Sequence, residues 1–349
     1  MDRRKNPFTI AFGTKPKQLI ARYQQMDEII DSFSADTPSV PLYMLTGVRG
    51  SGKTTLMAAV SDEFRKNNDW VVMSLNVNSK DLLLSFAAGL YDEPLFSPSI
   101  IEAKLDLSVL GIGVSIQKAH KFSDVTTAIK QLLKIVKKLN KRILITIDDV
   151  TNNQGMREFC SAFTMFVSQG YPLFLLMTGL YENIFELQNE KSLTFLLRAP
   201  RIEMNSLNIG AIADSYKSVF AISNEKALQM AKKTKGYSYA FQVLGYMTWL
   251  YFGEDEKQIE KRVMDYLGEY SYLKIWYELS EKDKEILAVM AKENLYTIKD
   301  IREIVKLESN AFSVYRNRLI RKGLLISVSY GKLEFVLPYF KEFILNQDY

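Results

Sequence analysis

Cysteine and histidine are almost missing from this chain: its 349 residues hold one of each, Cys160 and His120. A lone cysteine rules out an intramolecular disulfide framework and suits a reducing compartment. Cys160 lies in an apolar helical run, which makes it a small buried hydrophobe rather than a reactive thiol. A single histidine without a cysteine cluster removes the usual zinc sites; His120 reads as a surface residue on a loop before a helix. No apolar run approaches the roughly 18 residues a membrane-spanning helix needs. The first residues carry charge with no apolar stretch behind them, so no secretory signal is visible. Internal repeats and low-complexity segments are also missing. Nor is the charge one-sided: 45 Lys and Arg against 40 Asp and Glu leave a net +5, which permits a nucleic-acid partner without demanding one. The 47% apolar content suffices for sizeable cores, and the length allows about two or three domains. These absences together predict a cytoplasmic protein with no membrane partner.

One segment is fully specified. Gly47-Val48-Arg49-Gly50-Ser51-Gly52-Lys53-Thr54 completes the pattern G-x-x-x-x-G-K-[ST]. A strand-like run (41–46) precedes it and a helix-compatible stretch (55–64) follows. Glycines let the backbone turn tightly and aim N–H groups at a phosphate chain, and the helix behind adds its positive end. Lys53 is placed to reach β- and γ-phosphates, Thr54 to offer its hydroxyl to Mg²⁺, and Thr55 to follow at the helix start. The alternative, a glycine-rich turn without nucleotide, has the strand–loop–helix context against it.

Around this loop the chain alternates. Strand candidates at 42–46, 70–75, 142–148, 172–178 and 200–204 are near-continuous apolar runs, the mark of strands buried on both faces. Helical stretches at 53–66, 79–90, 122–140 and 154–168 lie between them. The alternation predicts an α/β fold: a P-loop NTPase parallel sheet with helices on both faces. Residues 103–117 break the rhythm with β-branched alternation about Gly-x-Gly. They read as an inserted β-hairpin, either a spare edge element or a partner-touching one. From 206 to 273 the pattern is helical only (209–220, 223–234, 238–252, 255–270), which suggests an α-helical lid. From 275 to 349 the punctuation changes. Ser280 and Asp283 form a capping-box pattern, Thr297 and Asp300 repeat it, and Ser309 opens a third helix closed by Gly323. Two short strand patterns flank Tyr330-Gly331. Three helices and a hairpin predict a winged helix-turn-helix domain. The expected domains are thus 1–34 as a leading segment, 35–205 as the P-loop core, 206–273 as the lid and 275–349 as the winged helix.

A phosphate loop needs an acidic partner. Ile143-Leu-Ile-Thr-Ile-Asp148-Asp149 presents two carboxylates at the C-terminal end of a buried strand, where open α/β sheets bind ligands. Asp148 would orient Mg²⁺ through water, and Asp149 would orient or deprotonate the attacking water. The plain alternative for such a pair is a helix N-cap. Thr178 ends the strand at 172–178; its hydroxyl either contacts the γ-phosphate or its water, or caps the next helix. Arg198 and Arg201 bracket the last strand. An arginine there can stabilise phosphoryl transfer across a subunit boundary, and Arg198 is preferred because it precedes the strand; a surface charge is the alternative.

With these motifs in order, the chain resembles an AAA+ ATPase of the origin-recognition and signal-transduction (STAND) neighbourhood, the bacterial and archaeal ATP-binding proteins that end in a winged helix. Phe12-Gly13, Pro16 and Ala21-Arg22 look like that group's leading segment, which packs near the adenine and makes Arg22 a nucleotide-binding candidate. Gly47–Thr54 matches its GxRGSGKT loop, and Ile145-Thr-Ile-Asp148-Asp149-Val its acidic strand. The run from Gly236 through Gln242 and Gly245 to Trp249 is similar to its lid helix. Tyr315–Gly323 with Phe335–Pro338 resembles its C-terminal module. The resemblance implies ATP and Mg²⁺ as cofactors, ATPase activity, and assembly into homo-oligomeric rings or filaments. Three departures stand out. Asp149 replaces the usual Glu, which predicts slow hydrolysis. Ala21 replaces a glycine. The lid lacks the arginine that many members present to the γ-phosphate, and Tyr237-Ser238-Tyr239 occupies that neighbourhood.

The third C-terminal helix bears on DNA. Phe312, Tyr315 and Leu319 share a face at helical spacing and should point inward. Asn310, Ser313, Arg316, Asn317, Arg318, Arg321 and Lys322 fall on other faces, and acidic residues are absent from 309–322. Such residues can pair with base edges or hold phosphates of double-stranded DNA. Winged helices also serve as protein-contact modules, and Glu303, Glu308 and Glu334 dilute the local charge. A basic run at Lys130, Lys134, Lys137, Lys138, Lys141 and Arg142 reads as a solvated helix face. The basic residues Arg3, Arg4, Lys5, Lys15 and Lys17 read as a disordered end. The sequence therefore predicts a Mg-dependent ATPase acting as a DNA-associated switch. The alternatives are a signalling ATPase whose winged helix binds protein, and a nucleotide-binding transcription regulator with little hydrolysis.

Overall fold

The computed structural model describes residues 2, 5–11, 16–96, 122–294 and 296–347. The hairpin expected at 103–117, the Phe12-Gly13 pair, Lys15, Arg3, Arg4 and His120 lie outside the described residues. The chain divides into two compact units. One comprises Arg22–Thr46 and Lys53–Glu203; the other comprises Met1–Ala21, Gly47–Gly52 and Met204–Tyr349.

The first unit is built on five parallel strands: β1 (Leu42–Thr46), β2 (Trp70–Leu75), β3 (Arg142–Ile147), β4 (Leu173–Gly179) and β5 (Arg201–Glu203). Their spatial order is β2-β3-β4-β1-β5. β4 therefore lies between the phosphate-loop strand and the acidic strand, with Thr46 opposite Gly179 and Ile147 opposite Met177. Period-two alternation sends side chains to both faces. Leu42, Met44, Val71, Met73, Ile143, Ile145, Leu175 and Met177 share one cluster. It is closed by α3 (Leu82–Tyr91), α4 (Phe122–Lys138), α5 (Gln154–Ser168) and α6 (Tyr181–Gln188). On the other face Tyr43, Trp70 and Phe174 meet Phe33 of α1 (Tyr23–Ser34) and Phe64 of α2 (Lys53–Arg65), with ring centroids 4.2–6.3 Å apart. Cys160 is fully buried in the first cluster. Helix starts carry their own signals: the side chains of Asp81 and Asn153 accept the N–H groups of Leu84 and Met156 at 2.8 and 2.9 Å, caps worth about 1 kcal/mol each.

The second unit is helical. α7 (Ile209–Phe220), α8 (Asn224–Lys233), α9 (Ser238–Leu250) and α10 (Glu256–Leu267) follow the expected pattern closely. A π-helical turn, Gly268–Tyr272, then leads into α11 (Leu273–Tyr277). Phe8 of the N-terminal segment is 2% exposed among Tyr216, Phe220 and Phe241. It lies so near Gly245 that a Cβ there would stand 2.5 Å from its ring. Gln242 accepts from Thr9 N–H at 3.1 Å and donates to Gln18 O at 2.7 Å, fixing the same segment.

The C-terminal part is three helices and a hairpin: α12 (Glu281–Lys292), α13 (Ile298–Val305), α14 (Ser309–Arg321), then antiparallel β6 (Leu325–Ser329) and β7 (Lys332–Phe335), and α15 (Phe340–Leu345). Ser280 and Asp283 form the expected capping box, and Thr297 accepts from Asp300 N–H. Ser309 opens the third helix as expected, with Glu308 at the cap position and no side-chain bond there. Lid and C-terminal residues share one hydrophobic cluster, from Phe8 and Tyr216 through Tyr272 to Phe312, Leu319 and Phe340. No helix among the described residues is long and apolar enough to cross a membrane.

Candidate functional site

At the strand tips of the sheet unit, two hydroxyl side chains and one backbone N–H converge on one carboxylate. Thr54, in the first turn of α2, donates its hydroxyl to Asp148 Oδ2 at 2.8 Å. Thr178, at the end of β4, donates to Asp148 Oδ1. The Asp149 N–H approaches both Asp148 Oδ1 and Thr178 Oγ1 at 3.1 Å, and Val150 N–H binds Thr178 O at 2.8 Å. The placement follows from the sheet: β3 and β4 are neighbours, so the residues just beyond them meet. Thr178 is fully buried and its proton is committed to Asp148. Asp149 is exposed and sits at φ 51. That left-handed conformation is one that Asp and Asn tolerate better than most residues.

The phosphate-loop residues Gly47–Gly52 cluster with the helical unit. Gly50 and Gly52 have φ of +73° and +93°, conformations that a side chain strains. Ser51 N–H closes a turn on Val48 O at 3.2 Å. Three successive carbonyls of the loop are taken by three successive lid residues. Tyr237 Oη donates to Arg49 O at 2.7 Å, Tyr239 N–H to Gly50 O at 3.1 Å, and Ser238 Oγ to Ser51 O at 3.0 Å. Tyr237 also shares a hydrogen bond with Ser271 at 2.9 Å, and burial pushes its phenol well above the usual range. The Arg49 guanidinium makes a two-point contact with Glu278, at 2.8 and 3.3 Å. Both side chains are about a third exposed, so water screens the pair. Val48 lies against Gly323, at the end of α14.

The remaining candidates are dispersed. Arg22 is the N-cap of α1, and burial lowers its guanidinium pKa. Arg198 is exposed at the end of a 3₁₀ segment, Lys191–Arg198. Arg201 contacts Gln188 Oε1 at 3.4 Å and lies over the Tyr181 ring. Of the basic run before β3, Lys141 and Arg142 are engaged by backbone carbonyls of Asn68, Phe33 and Ala35.

On α14, Phe312 and Leu319 are buried as expected, whereas Asn310, Asn317 and Arg321 are exposed and Ser313, Arg316 and Lys322 intermediate. Arg318 departs from its assignment to DNA. It holds Asp283, itself 1% exposed, at 2.7 Å, donates to Ser280 Oγ at 2.8 Å, and lies over the Tyr315 ring. Its charge is spent joining α14 to α12.

Residues 22–192 match the model of the NB-ARC domain, and residues 270–344 match a domain of unknown function, DUF8462. Across 97% of this chain and 99% of its own, the Walker-type ATPase PABY2304 of Pyrococcus abyssi superimposes with a TM-score of 0.64 at 14% identity. The ORC2 protein of Aeropyrum pernix in its ADP form gives 0.52 at 14% identity, over 96% of each chain. A search of curated protein sequences returned no match. Residues 22–192 thus resemble an NB-ARC domain, and the chain shares the fold of these two proteins. The parallel five-stranded sheet is part of that shared fold.

The donor set at the strand tips fits a hard divalent cation. One hydroxyl and one carboxylate stand within 2.8 Å, and no group of three or more His, Cys, Asp or Glu side chains that could hold a metal exists among the described residues. A cation held by Thr54 and Asp148 would therefore draw most of its ligands from water and phosphate. Tyr237, Ser238 and Tyr239 are expected from the sequence near the γ-phosphate, but neither their bonds to the loop carbonyls nor the Glu278 contact is foreseeable from it. The four residues lie some 190 to 230 positions from the residues they touch, and nothing local to either segment signals the pairing.

Proposed function

We propose that this P-loop ATPase is a magnesium-dependent switch in which ATP binding and hydrolysis control a DNA-contacting winged helix. The observation that supports it most is the convergence of Thr54 and Thr178 on Asp148 immediately behind a complete phosphate loop. Thr54 and Asp148 would hold Mg²⁺, which supplies charge neutralisation on phosphate oxygens. Lys53 adds a positive charge at the β- and γ-phosphates. Thr178 aims the Asp148 carboxylate by hydrogen bonding to it. Asp149 orients the attacking water or takes its proton, and Arg198 serves a neighbouring copy's transition state. Val48, Arg49, Ser51, Thr55 and Arg22 complete the nucleotide contacts. No Asn-Lys-x-Asp guanine motif occurs, which favours ATP over GTP.

The DNA face consists of Asn310, Ser313, Arg316, Asn317, Arg321 and Lys322; Arg318 is left out for the reason given above. A second reading has an observation of its own. On the hairpin, Ile326 is 50% exposed, Val328 48% and Tyr330 wholly exposed, an apolar strip better suited to a protein partner than to phosphate. Titrating ATP turnover with a fluorescent duplex across salt separates the two. DNA contact predicts duplex affinity that falls steeply with salt and responds to ATP. No duplex binding at low salt, with or without ATP, would reject the DNA reading and leave the protein-docking one.

A further inference from the structure

We propose that Tyr237, Ser238 and Tyr239 are positioning residues for nucleotide binding: the lid sets the direction of the phosphate loop's N–H groups by holding the carbonyls on its opposite side. The inference rests on the reading that Gly47–Thr54 binds the phosphates of ATP.

The argument begins with the peptide bond. A trans peptide is planar, so the carbonyl of one residue and the N–H of the next point in opposite directions. Whatever fixes Arg49 O therefore fixes Gly50 N–H, and whatever fixes Ser51 O fixes Gly52 N–H. Both glycines have positive φ, so their own conformational preference does little to hold these peptides in one orientation. The lid supplies what the loop lacks. Tyr237 Oη takes Arg49 O at 2.7 Å and Ser238 Oγ takes Ser51 O at 3.0 Å. Between them Tyr239 N–H takes Gly50 O at 3.1 Å, and Ser51 N–H is turned to Val48 O. Gly50 and Gly52 N–H are thereby turned away from the lid helix.

The donors are themselves held. Tyr237 is 5% exposed and braced by Ser271. Tyr239 N–H belongs to the first turn of α9, whose N–H groups have no intrahelical partner. A Cβ on Gly50 would stand 2.4 Å from Tyr237 Oη and 2.9 Å from Tyr239 Cβ, so lid and loop are in contact with no room between them. The lid thus acts on phosphate at one remove, which gives a lid without an arginine a part in nucleotide binding.

The test compares ligands with and without phosphate. ADP and adenosine affinities are measured by displacement of a fluorescent ADP analogue from the full chain. Ser238→Ala and Tyr237→Phe should each weaken ADP about tenfold and adenosine less than twofold, and Ser238→Thr, which keeps the hydroxyl, should restore ADP binding. Equal losses for ADP and adenosine would mean a general disturbance of the lid and overturn the proposal. Unchanged ADP affinity in both variants would also overturn it while leaving the nucleotide reading intact. If the parent chain bound no ADP and Lys53→Ala made no difference, the nucleotide reading itself would fall, and this proposal with it.

Discussion

The hydroxyl of Thr54 and the carboxylate of Asp148 meet at 2.8 Å, although 94 residues separate them in the chain. The first ends the phosphate loop and the second ends β3, and the parallel sheet carries both to the same edge. A hydroxyl and a carboxylate so placed can share one cation, and each also orients the other. Asp148→Asn keeps the shape but removes the charge. It should lower ATP turnover by about a hundredfold or more and flatten its dependence on Mg²⁺ concentration. A magnesium titration of turnover in parent and variant checks this, and an unaltered magnesium midpoint would exclude Asp148 from the cation site.

Asp149 has a backbone conformation that bears on its side chain. At φ 51 a short polar side chain that can bond locally is favoured, and a longer one is not. Asp149→Asn should leave the fold and ADP binding intact while removing most turnover. Asp149→Glu should lower stability by about 0.5–1 kcal/mol, so any rate gain from the longer carboxylate comes with a lower unfolding midpoint. Turnover and chemical denaturation measured on both variants decide the matter. Full turnover in Asp149→Asn would exclude the carboxylate as base.

The parts of this architecture that were legible in the sequence are those that local chemistry writes. β1 and β2 fall on the residues expected from their apolar runs, and the lid helices follow their amphipathic pattern within a few residues. The capping box at Ser280 and the N-cap at Thr297 work because a cap needs only residues three apart. Long-range pairings were illegible. Nothing near Tyr237 says that its hydroxyl will find Arg49 O, and nothing near Arg318 says that Asp283, rather than DNA, will take its charge.

Gly50 tests the contact between loop and lid from the loop's side. Its φ of +73° disfavours any side chain, and a Cβ would collide with Tyr237 Oη at 2.4 Å. Gly50→Ala should cost about 1–3 kcal/mol of stability and abolish measurable ADP binding. Calorimetric unfolding with and without ADP reads both effects, since a ligand that binds only the folded state raises its midpoint. A variant that keeps the ADP-induced rise would mean that the loop tolerates displacement.

Cys160 supplies a pH signature. Burial pushes its thiol from an ordinary 9.0 up to about 12. The native chain therefore holds that proton across a window in which the unfolded chain gives it up. The unfolded state binds fewer protons there, so stability falls as pH rises from about 9 to 12, by about 1.4 kcal/mol per unit, and is unaffected by this group below 9. Cys160→Ala should be less stable at pH 7, because it leaves a small cavity, yet lose stability less steeply above pH 9. Buried tyrosines titrate alike in both chains and cancel from the comparison. Identical slopes would show the thiol to be ordinary.

The Arg318–Asp283 pair separates what holds the C-terminal part together from what it presents outward. Asp283 is 1% exposed and serves three purposes: it caps α12, accepts from Ser280, and neutralises Arg318. Asp283→Ala removes a cap worth about 1 kcal/mol and leaves a partly buried guanidinium without its partner, for a total of about 2–4 kcal/mol given that Arg318 is a third exposed. Arg321→Ala, on an exposed turn of the same helix, should change stability by less than about 0.5 kcal/mol. It should weaken duplex binding and reduce the salt slope by about one counterion. Arg318→Lys sits between the two: it keeps the charge but not the fork that reaches both Asp283 and Ser280, so it should destabilise the fold without changing the salt slope. Denaturation and salt-dependent duplex titration of the three variants give the comparison. A salt slope that falls for Arg318→Lys but not for Arg321→Ala would reverse the assignment and place Arg318 on the DNA.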